Sequence, residues 1–286
     1  DVKSVNVKGG EGYVTREDRA DRFLFSHDYG SPSSDIGASI NKGLDYLFTY
    51  ATEASAHGGR LHIPRGLHSV NTQILIDRTA GGVDQSDNIS LSGEGMGTSE
   101  LRSGPGLSAG SSIIKTNEPT GKSIQLMTIK DLTTSGGYNG IRIETASRTN
   151  IKNIAIKGAT NSGMFVGNSW VNDYSQILSS GNGLHGVEFA ADKQKTSTVV
   201  TSGYALSNAA SGWRWAFMNY SVVNGVASDS NGHHGHLIQN SNGFVMNAPG
   251  AEANGRAGIY AEASSSLGSN KSILIQGAFM HSNNSS

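Results

Sequence analysis

From residue 140 onward the chain repeats a short pattern in which glycine leads and apolar residues fill the first and third places after it. The segments are GIRIE at Gly140, GMFVG at Gly163, GVEFA at Gly186, GWRWA at Gly212, GHLIQ at Gly235 and GIYAE at Gly258. Their glycines are 23, 23, 26, 23 and 23 residues apart. A small polar turn precedes each later one: GATNSG, SSGNGLHG, SNAASG, SDSNGHHG, EANGRAG. Apolar-polar alternation is the signature of a strand with one buried side. A unit of this length, with a glycine turn and two or three short strands, is one coil of a parallel β-helix. Successive coils then stack at roughly 4.8 Å.

The alternation assigns faces. Ile141, Met164, Val187, Trp213, His236 and Ile259 form one inward column, and Ile143, Val166, Phe189, Trp215, Ile238 and Ala261 form another. Arg142, Phe165, Glu188, Arg214, Leu237 and Tyr260 should point outward, as should Glu144, Gly167, Ala190, Ala216, Gln239 and Glu262. Further forward, Ile36, Ile40, Leu44, Leu47 and Ala51 recur with helical period within residues 35–55. Ser34 or Asp35 stands ready as the N-cap, which predicts an amphipathic helix. Strand and turn signals follow in GGRLHIPRGLHSV and ISLSGEGMGTSEL. The expected fold is therefore all-β, a right-handed parallel β-helix over residues 35–286 with an N-terminal capping helix. Residues 1–34, with the mixed charges of TREDRADRF, read as a neck or linker. The closing GAFMHSNNSS matches the turn before a coil glycine, so further coils are expected beyond it.

Composition supports this picture. The 286 residues include 38 glycines and 5 prolines, with 16% charged residues and a net charge of −1. That balance excludes the basic stripe of a nucleic-acid binder. No apolar run reaches the roughly 18 residues of a membrane span. Without cysteine, disulfides, thiolate metal sites and thiol catalysis are all excluded.

One cluster invites a metal reading. NGHHGHLI brings His233, His234 and His236 within four positions. The repeat separates them: His236 falls in an inward column, whereas His233 and His234 fall in the turn. No carboxylate or His-Glu-x-x-His spacing completes a zinc site. Neither metal nor cofactor is expected, and His185, at the turn position matching His234, is placed to line a groove.

The order of amphipathic helix, GGRLHIPRGLHSV, ISLSGEGMGTSEL and glycine-registered coils resembles the pectate-lyase-like β-helix proteins. Within them it is most similar to phage tailspikes and related polysaccharide depolymerases. The DFGA-type opening of many members is replaced here by DRFLFSHDYGSPSSDIGASI. The resemblance implies a virion-tail, extracellular protein acting on a bacterial capsule or O-antigen. It also implies a homotrimer and a virion-anchoring segment N-terminal to residue 1.

Under that implication the outward residues acquire roles. Glycoside hydrolysis needs two carboxylates. Glu144 and Glu188 lie two coils apart, with Cα atoms roughly 11–12 Å from one another. Arg142 and Arg214 are candidates to hold an acidic sugar, with Phe165 and Tyr260 as stacking faces and Trp170 as an exposed aromatic. A metal-free lyase, with Tyr260, His185 or Arg214 at the uronate, stays open, as does a non-catalytic glycan binder or stalk.

Overall fold

The computed structural model describes residues 23–25, 35–50, 58–77, 88–117, 123–263 and 268–284. Every strand pairing among them is parallel, and each coil pairs with the next along the stack. Ile141 faces Met164, which faces Val187, then Trp213, His236 and Ile259. A second interior column runs from Leu61 through Leu91, Ile129, Ile151, Tyr174, Val200, Val223 and Met246 to Ile275. The glycine register thus corresponds to a physical axis. The fold is a parallel β-solenoid.

Each regular coil bends at three residues with left-handed backbone. They are Arg148, Asn153 and Gly158 in one coil, and Val171, Gln176 and Gly181 in the next. Ser197, Ser202 and Ser207 follow, and then Tyr220, Gly225 and Ser230, where Phe217 adds a fourth left-handed residue. Positive φ at non-glycine residues costs about 1–2 kcal/mol each, and it persists here because rungs above and below fix every corner. The three corners divide the coil into three faces. Face 1 holds strands such as Ile141–Ser147 and Met164–Trp170. In Asn150–Lys157 and Asp173–Ser180 a single strand turns the second corner, its first part on face 2 and its last on face 3.

The interior follows the predicted columns. Trp213 and Trp215 are fully buried and stack on one another at 5.0 Å, with Phe189 5.2 Å from Trp215. Gly203 leaves the space for this, since a Cβ there would lie 2.5 Å from the Trp213 ring. The register glycines are equally constrained: a Cβ on Gly186 would stand 2.6 Å from the carbonyl oxygen of Gly212. At the last coils the pattern weakens, with Ala261 exposed and Ile259, Ile273 and Ile275 only partly buried.

A buried asparagine spine runs beside those glycines. Asn182 donates its side-chain amide to Asn208 Oδ1 at 2.7 Å. Asn208 donates to Asn231 at 2.8 Å, Asn231 to Asn254 at 2.8 Å, and Asn254 to Asn283 at 2.7 Å. Each Oδ1 also accepts a backbone N–H from the coil below. The turns are buried against their neighbours, so this ladder satisfies groups that water cannot reach.

Helix α1 covers Ile36–Tyr50, with Ile36, Ile40, Leu44 and Leu47 buried in the common core. Asp35 is its cap: Oδ1 accepts the N–H groups of Gly37, Asn71 and Thr72, tying the helix start to the first coil. Ala51 and the rest of the expected 35–55 helix lie outside the described residues. Most of the expected neck does too, although Phe23–Phe25 within it forms a strand paired with Gly59–His62.

Candidate functional site

Face 1 gathers most of the residues singled out by the outward pattern. Arg142, Phe165, Glu188, Arg214, Leu237 and Tyr260 are successive rung partners, one above another. At the lower end the Arg142 guanidinium lies 4.1 Å from the Phe165 ring centroid, a cation–π contact. Its Nε donates to Glu144 Oε1 at 2.5 Å, and Lys115 Nζ stands 3.6 Å from the same oxygen. Lys115, Arg142 and Glu144 open on a cavity of about 480 Å³ whose lining also includes Gln73, Ser111, Ser112 and Tyr138. One wall is the segment before the Ile114–Thr116 strand, and the floor is face 1 itself. Two cations, a carboxylate and a half-exposed tyrosine therefore converge on a polar groove.

Glu188 departs from the sequence expectation. It was placed as an exposed acid, yet it is only 7% exposed. Its Oε2 accepts the Ser162 hydroxyl of the coil below at 2.5 Å, and its Oε1 accepts Arg214 Nη1 of the coil above at 3.0 Å. The reason is local. Ser162 and Arg214 of the neighbouring rungs hold both of its oxygens, and a buried carboxylate persists when paired and hydrogen-bonded. Arg214 passes the connection onward, donating Nε to Gln239 Oε1 at 2.9 Å, and Gln239 in turn donates to Glu262 Oε2. Glu144 and Glu188 share no hydrogen bond or bridging cation; each is held by its own partners.

Beside Glu188 lie two groups whose titration is displaced. His185 is buried, and its Nδ1 accepts the Ser211 N–H at 3.2 Å, which leaves the ring proton on Nε2. Burial lowers its pKa to about 4, partly offset by the Glu188 charge. Lys195 was not foreseen. Alternation places it in an interior column between Ser169 and Met218, fully buried. Its Nζ donates to the carbonyl oxygens of Ala190 and Lys193, the latter at 2.6 Å. Burial lowers its pKa to about 7, against the opposing pull of Asp192 and Glu188.

Lys195 marks where the 26-residue coil gains its extra length. Three positions separate Val166 from Ser169, but six separate their rung partners Phe189 and Lys195. The coil beginning at Gly258 widens at the same point, three positions from Gln239 to Asn242 against nine from Glu262 to Lys271. Both insertions enter on face 1. In repeat folds such insertions collect on one face, often the binding face.

The remaining candidates separate. Tyr260, 44% exposed, stacks on His234 with centroids 4.5 Å apart. Trp170 is half-buried at the end of its face-1 strand rather than freely exposed. His236 is a core residue as its column required, with Nε2 bound to the Gly250 carbonyl at 3.0 Å and Nδ1 accepting Trp215 Nε1 at 3.3 Å. His233 is exposed in the turn. Among the described residues, no group of three or more His, Asp or Glu could hold a metal ion. No described helix is long and apolar enough to cross a membrane.

Among solved structures, the A-module of a mannuronan C-5 epimerase from Azotobacter vinelandii matches with a TM-score of 0.69. The identity is 18%, over 89% of this chain and 69% of that one. A tailspike of Acinetobacter phage vb_AbaP_AS12 matches at 0.63 with 13% identity, over 88% of this chain and 46% of the tailspike. A protein of Geobacillus virus E2 matches at 0.60 with 13% identity, over 83% of this chain and 59% of that one. This is the parallel β-helix fold. The chain spans less than two thirds of the two viral proteins. No protein-family model matches the sequence, and no curated protein matches it.

Proposed function

We propose that this chain is the polysaccharide-engaging solenoid of a phage tailspike-type depolymerase, acting outside the cell on a bacterial capsule or O-antigen. The observation that carries the reading is the polar groove of about 480 Å³, where Lys115, Arg142, Glu144 and Tyr138 converge on an insertion-bearing face. Clustered donors, a carboxylate and aromatic faces are what an oligosaccharide requires of a binding surface. The tailspike and epimerase likenesses support a carbohydrate-acting β-helix.

Within that reading, glycoside hydrolysis is the favoured chemistry and Glu144 is one of the two carboxylates it needs. Glu188, buried against Ser162 and Arg214, serves to aim the Arg214 guanidinium. Phe165 and Tyr260 extend the groove as stacking faces, and His185 lies buried within the field of Glu188 and Arg214. The solenoid is right-handed and closed at its N-terminal end by α1. Residues 1–34 are a neck following a virion-anchoring segment, and the working assembly is a homotrimer. A lyase reading draws on one observation, the neutral His185 beside Arg214.

The test is to incubate the parent protein with purified host polysaccharide and analyse the products. Oligosaccharides without the ultraviolet absorbance of an unsaturated uronate are expected. Products that absorb would shift the assignment to a lyase, and intact polymer retained on the protein would make it a binder.

A further inference from the structure

Face 2 carries an outward ladder that glycan chemistry does not explain. Asp173, Val199, Val222, Val245 and Leu274 are successive rung partners in one outward column, apolar from Val199 on. Val199 is 39% exposed and Leu274 50%. The preceding corner adds Val171 at 59% and Tyr220 at 70%. The next outward column is an amide ladder, Gln276 donating to Asn247 Oδ1 at 2.7 Å and Asn247 donating to Asn224 Oδ1 at 2.7 Å. Residues 196–213, 215–228 and 237–251 contain no Asp, Glu, Lys, Arg or His. In those three coils charge is confined to face 1, its turn and the edge of face 3.

We propose that this face lines the axis of the homotrimer, where it is covered by the like faces of the other copies of the chain. Charge decides the occupant. A surface of valines and amides can be buried without desolvating or stranding an ion, provided the covering surface is also uncharged. A charged partner would leave its own charges unanswered there, whereas a second copy brings the same neutral ladder. Its rungs also repeat at the same spacing of roughly 4.8 Å, so valine and amide columns stay in step along the contact. Asn247, in the middle of the amide ladder, uses one N–H and one oxygen lone pair within it, and its second N–H and lone pair can meet the facing copy. The inference deepens the proposed self-assembly and rests on it, naming the surface that carries it.

Sedimentation velocity over a wide concentration range, on the full chain, tests this. The wild type should sediment as an oligomer. Val222→Lys with Val245→Lys, both outward-facing, should weaken association by at least about tenfold while leaving the circular-dichroism melt in place. Val222→Thr with Val245→Thr, still β-branched and uncharged, should keep the assembly. A wild type monomeric at every concentration would overturn both this face and self-assembly. An oligomer that survives the two lysines would overturn this face and leave self-assembly standing. Unchanged mass with lost retention on polysaccharide would assign the face to glycan instead.

Discussion

Face 1 and face 2 are built on the same coils, with the same rung spacing and the same interior behind them, yet from Val199 onward their outer surfaces differ. The coils below still carry Lys152 and Asp173 on face 2. Face 1 stacks Arg142, Phe165, Glu188 and Arg214, and its cations and acids pair between rungs. Face 2 stacks Val199, Val222 and Val245 beside an amide ladder with no charge. A solenoid fixes backbone geometry so tightly that function resides in which chemistry each face repeats. The insertions sharpen the contrast, because they widen face 1 alone among the described coils of residues 140–276.

The largest expected effect separates two acids within face 1. Glu144→Gln should lower depolymerisation by roughly 10²–10⁴ while the unfolding free energy changes by less than about 1 kcal/mol, as for a partly exposed ion pair. Glu188→Gln should instead destabilise the fold by about 1–3 kcal/mol, because Arg214 loses its buried counter-charge. Denaturant unfolding alongside product assays distinguishes them. Equal stability losses would remove the division between a groove acid and a supporting one.

A second pair compares ladders of identical chemistry in different places. Asn231→Ala, in the buried spine, should cost about 2–4 kcal/mol, since several turn N–H and C=O groups lose partners that water cannot replace. Asn247→Ala, in the solvent-facing ladder of face 2, should cost less than about 1 kcal/mol in the monomer. Urea titrations of both variants would measure the difference.

A third comparison concerns pH. His185 and His236 are held at about 4, against 6.5 for the free group, by burial behind face 1. The unfolded chain binds these protons first. The stability that depends on these two histidines should therefore be complete above about 6.5 and be lost progressively as pH falls toward about 4, by a few kcal/mol in all. His236→Gln, which can still meet Gly250 and Trp215, should flatten that slope, and Val222→Thr on face 2 should leave it unchanged. A slope untouched by His236→Gln would show that the acid sensitivity originates elsewhere.

Much of this was legible in the chain. The glycine interval, the inward columns and the fate of His236 follow from a two-residue strand period laid on a repeat. The asparagine spine had a readable signal as well: Asn182, Asn208, Asn231 and Asn254 each stand four residues before a register glycine. That fixed offset places them in the turn, though not in hydrogen-bond contact with one another.

Other features depended on the stack. Glu188 sits in an outward column by alternation, and its burial arises from Ser162 below and Arg214 above, residues 26 positions away in either direction. Lys195 looks like a surface lysine until the register of the enlarged coil turns it inward. Left-handed corners at Val171, Phe217 and Tyr220 run against local preference. Sequence by itself determined the repeat, the inward columns after each register glycine and the face that carries charge, because these depend on local periodicity. Which outward residues are covered, which acids meet solvent and where a groove opens were decided by the tertiary structure. Those properties belong to side chains from different coils meeting across a rung, and no spacing along one chain specifies that meeting.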